Sequence, residues 1–412
     1  MHRILAVLLL LGLTAPPISA QTVLRDAGLE HALSELARPL LAVAGLQDPV
    51  RILVIDDARP NIFAANDRVI VLHAGLLRRL QTVDQARAVI AHEIAHIAEG
   101  HAPIRVGVSG HAATPAGFGV VLGAATASSD RVRAKILAHD RDAERSADAR
   151  ALRDIAAIGA PALSARRIMA GISRDLFRTG QGDLYASLHP DPGGLPARET
   201  TPQTGKPDDG DGADWLARAR ATASALTDAP RETLRDVGGR RDALSTLRAA
   251  IARHRQMDPS RALAGIGRLL AQNPSDAYLH ALKGRFLLES GRAASAVESY
   301  RRAERLAPGD PLIRARLGRA ILATGRPRDA LVLLEAARAA DPYDPGLLQD
   351  LATALAQNGE PALALVALAE RAALLGRFGE ADRDARRAEG LLQRNTEGWR
   401  RARDVRAITQ PH

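Results

Sequence analysis

Ala88–His101 reads AVIAHEIAHIAEGH. Its apolar residues continue a run that opens after Thr82, and Gln85 stands three positions beyond that threonine in capping-box spacing, so the stretch lies inside a helix. On that helix His92 and His96 are one turn apart and project from one face, at a separation that can chelate a single ion. Glu93 is rotated by about 100° from His92 and can act on a water beside the ion without ligating the ion itself. The same residues could equally be a helix that happens to be rich in His and Ala, so the decision rests on the rest of the chain.

Towards the N-terminus the periodicity changes. Leu29, Leu33, Leu36, Leu40 and Leu41 sit at helical spacing and predict an opening amphipathic helix over Leu24–Leu46. VRILVID (Val50–Asp56) and DRVIVLH (Asp67–His73) are β-rich runs separated by the turn-prone Asp57–Asn66, and they read as two strands of a small sheet.

Towards the C-terminus, Val106–Ser129 carries no Asp, Glu, Lys or Arg. Its glycines and Pro115 argue against a spanning helix, and a buried or mobile helical hairpin is the preferred reading over membrane contact. A charged helix follows over about Asp130–Ile158 and contains DAERSADARA (Asp142–Ala151). Alone, Glu144 and Asp148 would be ordinary acids on a solvated face. Together with HEIAH they complete a better account: His92, His96 and Glu144 hold one zinc with an open fourth position, and Asp148 holds the other nitrogen of a ligating histidine. His101 falls one residue short of the HExxHxxGxxH spacing and is expected to make a structural hydrogen bond rather than to ligate.

Beyond a Pro-, Gly- and Asp-rich stretch ending near Gly212 lies an internal repeat. Pro274, Pro308 and Pro342 are 34 residues apart, as are Gly291, Gly325 and Gly359, and Ala296, Ala330 and Ala364. This is the period of the tetratricopeptide helical hairpin, with a glycine where the first helix turns into the second and an alanine where the helices pack closely. A degenerate unit precedes it near Ala262, and helices over Phe378–Leu392 and Thr396–Ile408 close the stack. Such a stack presents a long surface to protein partners.

MHRILAVLLLLGLTAPPISA, residues 1–20, has the basic start, apolar centre and small-residue end of a secretory signal, and its apolar run is too short to span a bilayer. Cleavage is expected after Ala20. The chain has no cysteine, so disulfides and thiol-linked lipids are excluded. The net charge of +9 comes from arginines scattered among helix-forming residues, which argues against nucleic acid and leaves weak peripheral attraction to anionic lipid open.

HEIAH followed by ERSAD (Glu144–Asp148) resembles metallopeptidase family forty-eight, gluzincins whose pattern is HExxH then ExxAD. NIFA (Asn61–Ala64), DRVIVLHAGLL and Gly100–His101 are also similar to its catalytic domain, and the resemblance is closest to its periplasmic, β-barrel-assembly-enhancing branch. The resemblance implies a mainly α protein: an α+β zincin-like metallopeptidase domain with a small sheet over residues 21–198, a linker over 199–215, and an all-α tetratricopeptide solenoid over 216–408. It implies His92, His96 and Glu144 as zinc ligands, Glu93 as general base and Asp148 as the residue behind the ligands. His189, in a His-Pro pair, matches a loop histidine that in some members approaches and blocks the zinc, although the arginine usually found shortly after it is displaced to Arg198. The function so implied is periplasmic hydrolysis of protein substrates in outer-membrane protein quality control, with the assembly machinery as partner through the repeats. The competing readings are a chaperone or scaffold with a plugged zinc site, and a zinc hydrolase of small molecules.

Overall fold

The computed structural model describes residues 23–46, 48–101, 118–119, 141–160 and 211–409. The expected signal segment, His189, residues 199–210 of the expected linker and nearly all of Val106–Ser129 lie outside the described residues. No described helix is long and apolar enough to cross a membrane.

A short strand β1 (Val23–Leu24) precedes helix α1 (Ala27–Ala44), so the opening helix begins three residues later than its leucine spacing suggested. Asp26, two residues beyond the strand, caps the helix by accepting from the Leu29 backbone N–H. Strands β2 (Arg51–Ile55) and β4 (Val69–His73) occupy the two apolar runs, and they pair in parallel. The intervening stretch is more than a turn: Ile62–Ala64 forms β3, antiparallel to β4, and the sheet order is β1-β2-β4-β3.

The two apolar runs lack a polar alternation because the sheet is covered on both faces. Ile52, Val54, Ile62, Ala64, Ile70 and Leu72 face a core shared with α1 and with α3 (Val83–Ala98). Leu53, Ile55, Phe63, Ala65, Val69 and Val71 point the other way, into a cluster completed by Phe118 and by Tyr343, Leu348 and Leu374 of the repeat region. The alternation is that of a pleated strand, and each side has its own cover.

After β4 a short helix α2 (Ala74–Arg79) leads to α3, which opens with the expected capping box: Gln85 N–H donates to Thr82 Oγ1, and Gln85 Oε1 accepts from the Thr82 N–H. Helix α3 is buried on nearly all sides from Ala88 to Ile97, as a helix between a sheet and other helices must be. It packs against α4 (Arg141–Ala157), the described part of the charged helix.

Helix α5 (Asp211–Thr227) begins inside the stretch expected as linker, and its Leu216, Ala219 and Ala223 belong to the same core as α1 and α3. The repeat hairpins follow: α6 (Pro230–Val237), α7 (Ala243–Arg255), α8 (Pro259–Gln272), α9 (Ala277–Glu289), α10 (Ala293–Leu306), α11 (Pro311–Leu322), α12 (Pro327–Ala340), α13 (Pro345–Gln357), α14 (Pro361–Leu374), α15 (Phe378–Leu391) and α16 (Glu397–Thr409). Gly291, Gly325 and Gly359 adopt φ of 75°, 77° and 83° between paired helices, the left-handed conformation a side chain would resist. Ala296, Ala330 and Ala364 are buried at the helix crossings.

A fourth 34-residue register joins the other three. Asp242, Asp276, Asp310 and Asp344 each cap the first helix of a hairpin through its backbone N–H groups. Two of them also grip basic side chains, because Arg218 of α5 donates to Asp276 at 2.6 Å and Arg316 lies 3.1 Å from Asp344. Arg25, between β1 and α1, is 6% exposed; it binds Glu30 at 2.7 Å, pairs with Asp341 and lies 4.0 Å from Asp344. Arg51 reaches the same Asp341 at 3.6 Å. The turn between α12 and α13 is thereby tied to both strands at one end of the β1–β2 pair.

Candidate metal centre

Helices α3 and α4 cross so that ERSAD lies over HEIAH. His92 Nε2 is 3.2 Å from Glu144 Oε2, His96 Nε2 is 3.3 Å from Glu144 Oε1, and the two histidine Nε2 atoms are 3.1 Å apart. All three side chains are buried, and their ligand atoms converge within 4.8 Å. A tetrahedral ion with bonds of about 2.0–2.2 Å spaces its ligands about 3.3–3.6 Å apart, so these separations sit at the short end of what a small divalent cation bound to two nitrogens and one carboxylate requires. Of the expected ligands, the structure brings these three together.

The opposite nitrogen of His92 is also placed. Nδ1 lies 2.9 Å from Asp148 Oδ1. With the Nδ1 proton donated to that carboxylate, the Nε2 lone pair points to the cluster. The cluster is also electronegative. Burial opposes a charge on His92, but hydrogen bonds to Asp148 and Glu144 and the field of Glu93 outweigh it and raise its pKa to about 10. Carboxylates that favour positive charge at this point also suit a bound cation.

Glu93 is fully buried beside the triad, and its Oε2 accepts from the Ala64 backbone N–H at 2.8 Å. Ala64 belongs to the edge strand β3. Its neighbours Phe63 and Ala65 exchange their hydrogen bonds with β4, so the Ala64 N–H points outward from the sheet to the carboxylate. The role of Glu93 was read from its position beside His92 alone; the strand that orients it lies within the stretch read as turn-prone.

His101 stands outside the triad. Its backbone N–H donates to the His96 carbonyl at 2.7 Å, its ring centroid is 5.5 Å from that of His96, and Nε2 is 4.0 Å from Glu99 Oε2. Gly100, at φ 73°, turns the chain out of α3 just before it.

Comparison with known proteins finds two matching regions in the chain. Residues 24–192 match the description Peptidase family M48, and residues 287–342 match a tetratricopeptide repeat. A Vibrio cholerae protein named as a beta-barrel assembly-enhancing protease is 33% identical over 82 residues, which is 20% of this chain and 17% of the relative's own length. Among solved structures, one titled MamA MSR-1 C2 is 21% identical, covering 39% of this chain and 91% of its own with a TM-score of 0.31. Another, on Pseudomonas aeruginosa pilF, is 18% identical, covering 45% and 90% with a TM-score of 0.30.

Proposed function

We propose that this chain, which carries a peptidase family M48 domain followed by tetratricopeptide repeats, is a zinc-dependent endopeptidase acting on protein substrates. The observation that carries the reading is the buried His92, His96 and Glu144 triad with Glu93 held beside it by an edge strand.

His92, His96 and Glu144 would hold the zinc, with Asp148 fixing the His92 ring. The ion supplies Lewis acidity toward the scissile carbonyl and makes water more acidic. Glu93 takes the proton from the attacking water and passes it to the leaving amine, the task of a general base then acid. Its hydrogen bond to Ala64 fixes the carboxylate plane before substrate arrives, so little reorganisation is needed in the transition state.

An outer-membrane quality-control role in the periplasm is the setting we favour. Its support is the signal-like N-terminus, the repeat stack and the name of the Vibrio relative. Glu93→Gln tests the chemistry, since it keeps volume and metal ligands while removing the base. Hydrolysis of labelled casein should fall by about 10²-fold or more with one zinc retained per chain. Equal casein turnover and equal envelope phenotype in the variant and wild type would instead favour a scaffold working through the repeats.

A further inference from the structure

Among the described residues strand β3 pairs with β4 alone in the sheet, so packing on its two faces helps to set its position. One face meets α3. The other, carrying Phe63 and Ala65, meets Tyr343, Leu348 and Leu374 of the repeats together with Phe118. Tyr343 sits in the turn between α12 and α13, is 4% exposed, and packs its ring 4.8 Å from that of Phe118.

The same tyrosine reaches the bend that joins β3 to β4. Asn66 Nδ2 donates to Tyr343 Oη at 3.4 Å, Asn66 Oδ1 accepts from the Arg68 N–H at 2.9 Å, and the Asn66 N–H is 3.4 Å from the Val69 carbonyl. The turn that presents Tyr343 is itself anchored, because Asp341 pairs with Arg25 and Arg51 while its Oδ1 accepts from the Tyr343 N–H at 3.2 Å. A continuous path of contacts therefore runs from the repeat turn through Phe63 and Asn66 to Ala64, and from Ala64 to Glu93.

We infer that Tyr343 is a positioning residue for hydrolysis: from the repeat region it fixes the edge strand whose Ala64 N–H orients the Glu93 carboxylate. The inference rests on the peptidase reading above. Removing the ring opens space in the cluster that holds Phe63, and the strand relaxes into it. A shift of about 1 Å at a reacting group costs on the order of 10²-fold in rate, so a change well away from the metal is felt in turnover.

The test uses the full-length, zinc-loaded protein and the variants Tyr343→Ala, Tyr343→Leu and Tyr343→Phe. Deuterium exchange over residues 61–66 reports the strand without requiring activity, and fluorescein-labelled casein reports turnover. In Tyr343→Ala the Ala64 amide should exchange at least about 10-fold faster, and kcat should fall by about 10–100-fold. KM should change by less than about twofold and zinc should stay at one per chain, because neither substrate contacts nor ligands are touched. Tyr343→Phe keeps the ring and should stay within about threefold of wild type on both readouts. Tyr343→Leu, which refills most of the space, serves if the alanine variant does not fold, and should fall between the two.

Exchange over 61–66 and kcat both at wild-type values, with only a lowered melting temperature, would reduce Tyr343 to a packing residue and overturn the proposal. Loss of zinc in step with loss of turnover would overturn it too. Wild type cleaving casein no faster than Glu93→Gln would sink the peptidase reading instead, and unchanged exchange over 61–66 would still refute the link between Tyr343 and the strand.

Discussion

Asp148 offers the sharpest test of the metal centre because it touches a ligand and not the ion. Its Oδ1 is 2.9 Å from His92 Nδ1, and its side chain is 27% exposed. Replacing it by asparagine keeps an accepting oxygen but removes the charge; replacing it by alanine removes both. Losing the partner behind a ligating histidine typically weakens metal binding about 10–100-fold, or about 1.4–2.8 kcal/mol. Partial exposure lets water substitute for the carboxylate, so Asp148→Asn should lie near the lower end and Asp148→Ala nearer the upper. Competition against a chromogenic chelator at fixed pH measures the affinity, and casein turnover at saturating zinc shows what remains once the site is filled. Wild-type zinc affinity in both variants would mean that the His92 tautomer is fixed by something else, and the role given to Asp148 would fall.

Other expectations follow from the same geometry. Arg25→Met strips the buried Glu30 and Asp341 carboxylates of their main partner and should cost about 3–5 kcal/mol in urea unfolding; a loss below about 1 kcal/mol would mean that this junction is not held by charge. At Glu289 burial raises the pKa, but His254 at 2.6 Å and Arg285 at 3.0 Å outweigh it and bring it from 4.5 to about 2. A carboxylate depressed in the folded state stabilises fully above its unfolded pKa, so that contribution should be lost as pH falls from 4.5 towards 2. Because its side chain is 46% exposed, Glu289→Gln should cost no more than about 1 kcal/mol at pH 7 and should flatten the acid limb of a pH series of melting temperatures; an unchanged limb would count against the pairing.

The amount legible in the sequence differed by element for physical reasons. The helix carrying HEIAH was readable because its capping box, its periodicity and its ligand spacing are all local. The repeats were readable because a period of 34 repeats the same local requirements, a left-handed glycine and a small residue at the crossing. Strand β3 was missed because Asn61–Ala64 is only a few residues long, follows a turn-forming stretch, and is held as a strand by its neighbour β4 and by the Glu93 carboxylate, which is distant in sequence. The family-like NIFA motif was a signal for it that periodicity could not use. The aspartate register at 242, 276, 310 and 344 was present in the sequence and could have been counted with the others. What could not be counted was its second use, since Arg218 and Arg25 meet Asp276 and the Asp341–Asp344 turn only in the fold.

The covered sheet also changes which experiment can separate the functional readings. From sequence, deleting Ser260–Leu392 looks diagnostic, because a hydrolase of small molecules should keep its activity while a repeat-dependent peptidase should lose it. That deletion also removes Tyr343, Leu348 and Leu374 from the face of Phe63, Leu53 and Val71, and removes Asp341 from Arg25. Uncovering three such apolar side chains forfeits roughly 1.5–3 kcal/mol each and leaves a buried arginine short of a partner. Activity would then be lost whatever the substrate, through the edge strand and not through partner capture. The informative perturbations are those that leave this seam intact: charge changes on exposed residues of α15, which contributes nothing to the cluster holding Tyr343, should alter protein-substrate turnover if the repeats recruit substrate, and should leave cleavage of a short peptide at its wild-type rate. An equal effect on both substrates would place the repeats' contribution in holding the catalytic domain together and would remove recruitment from the account.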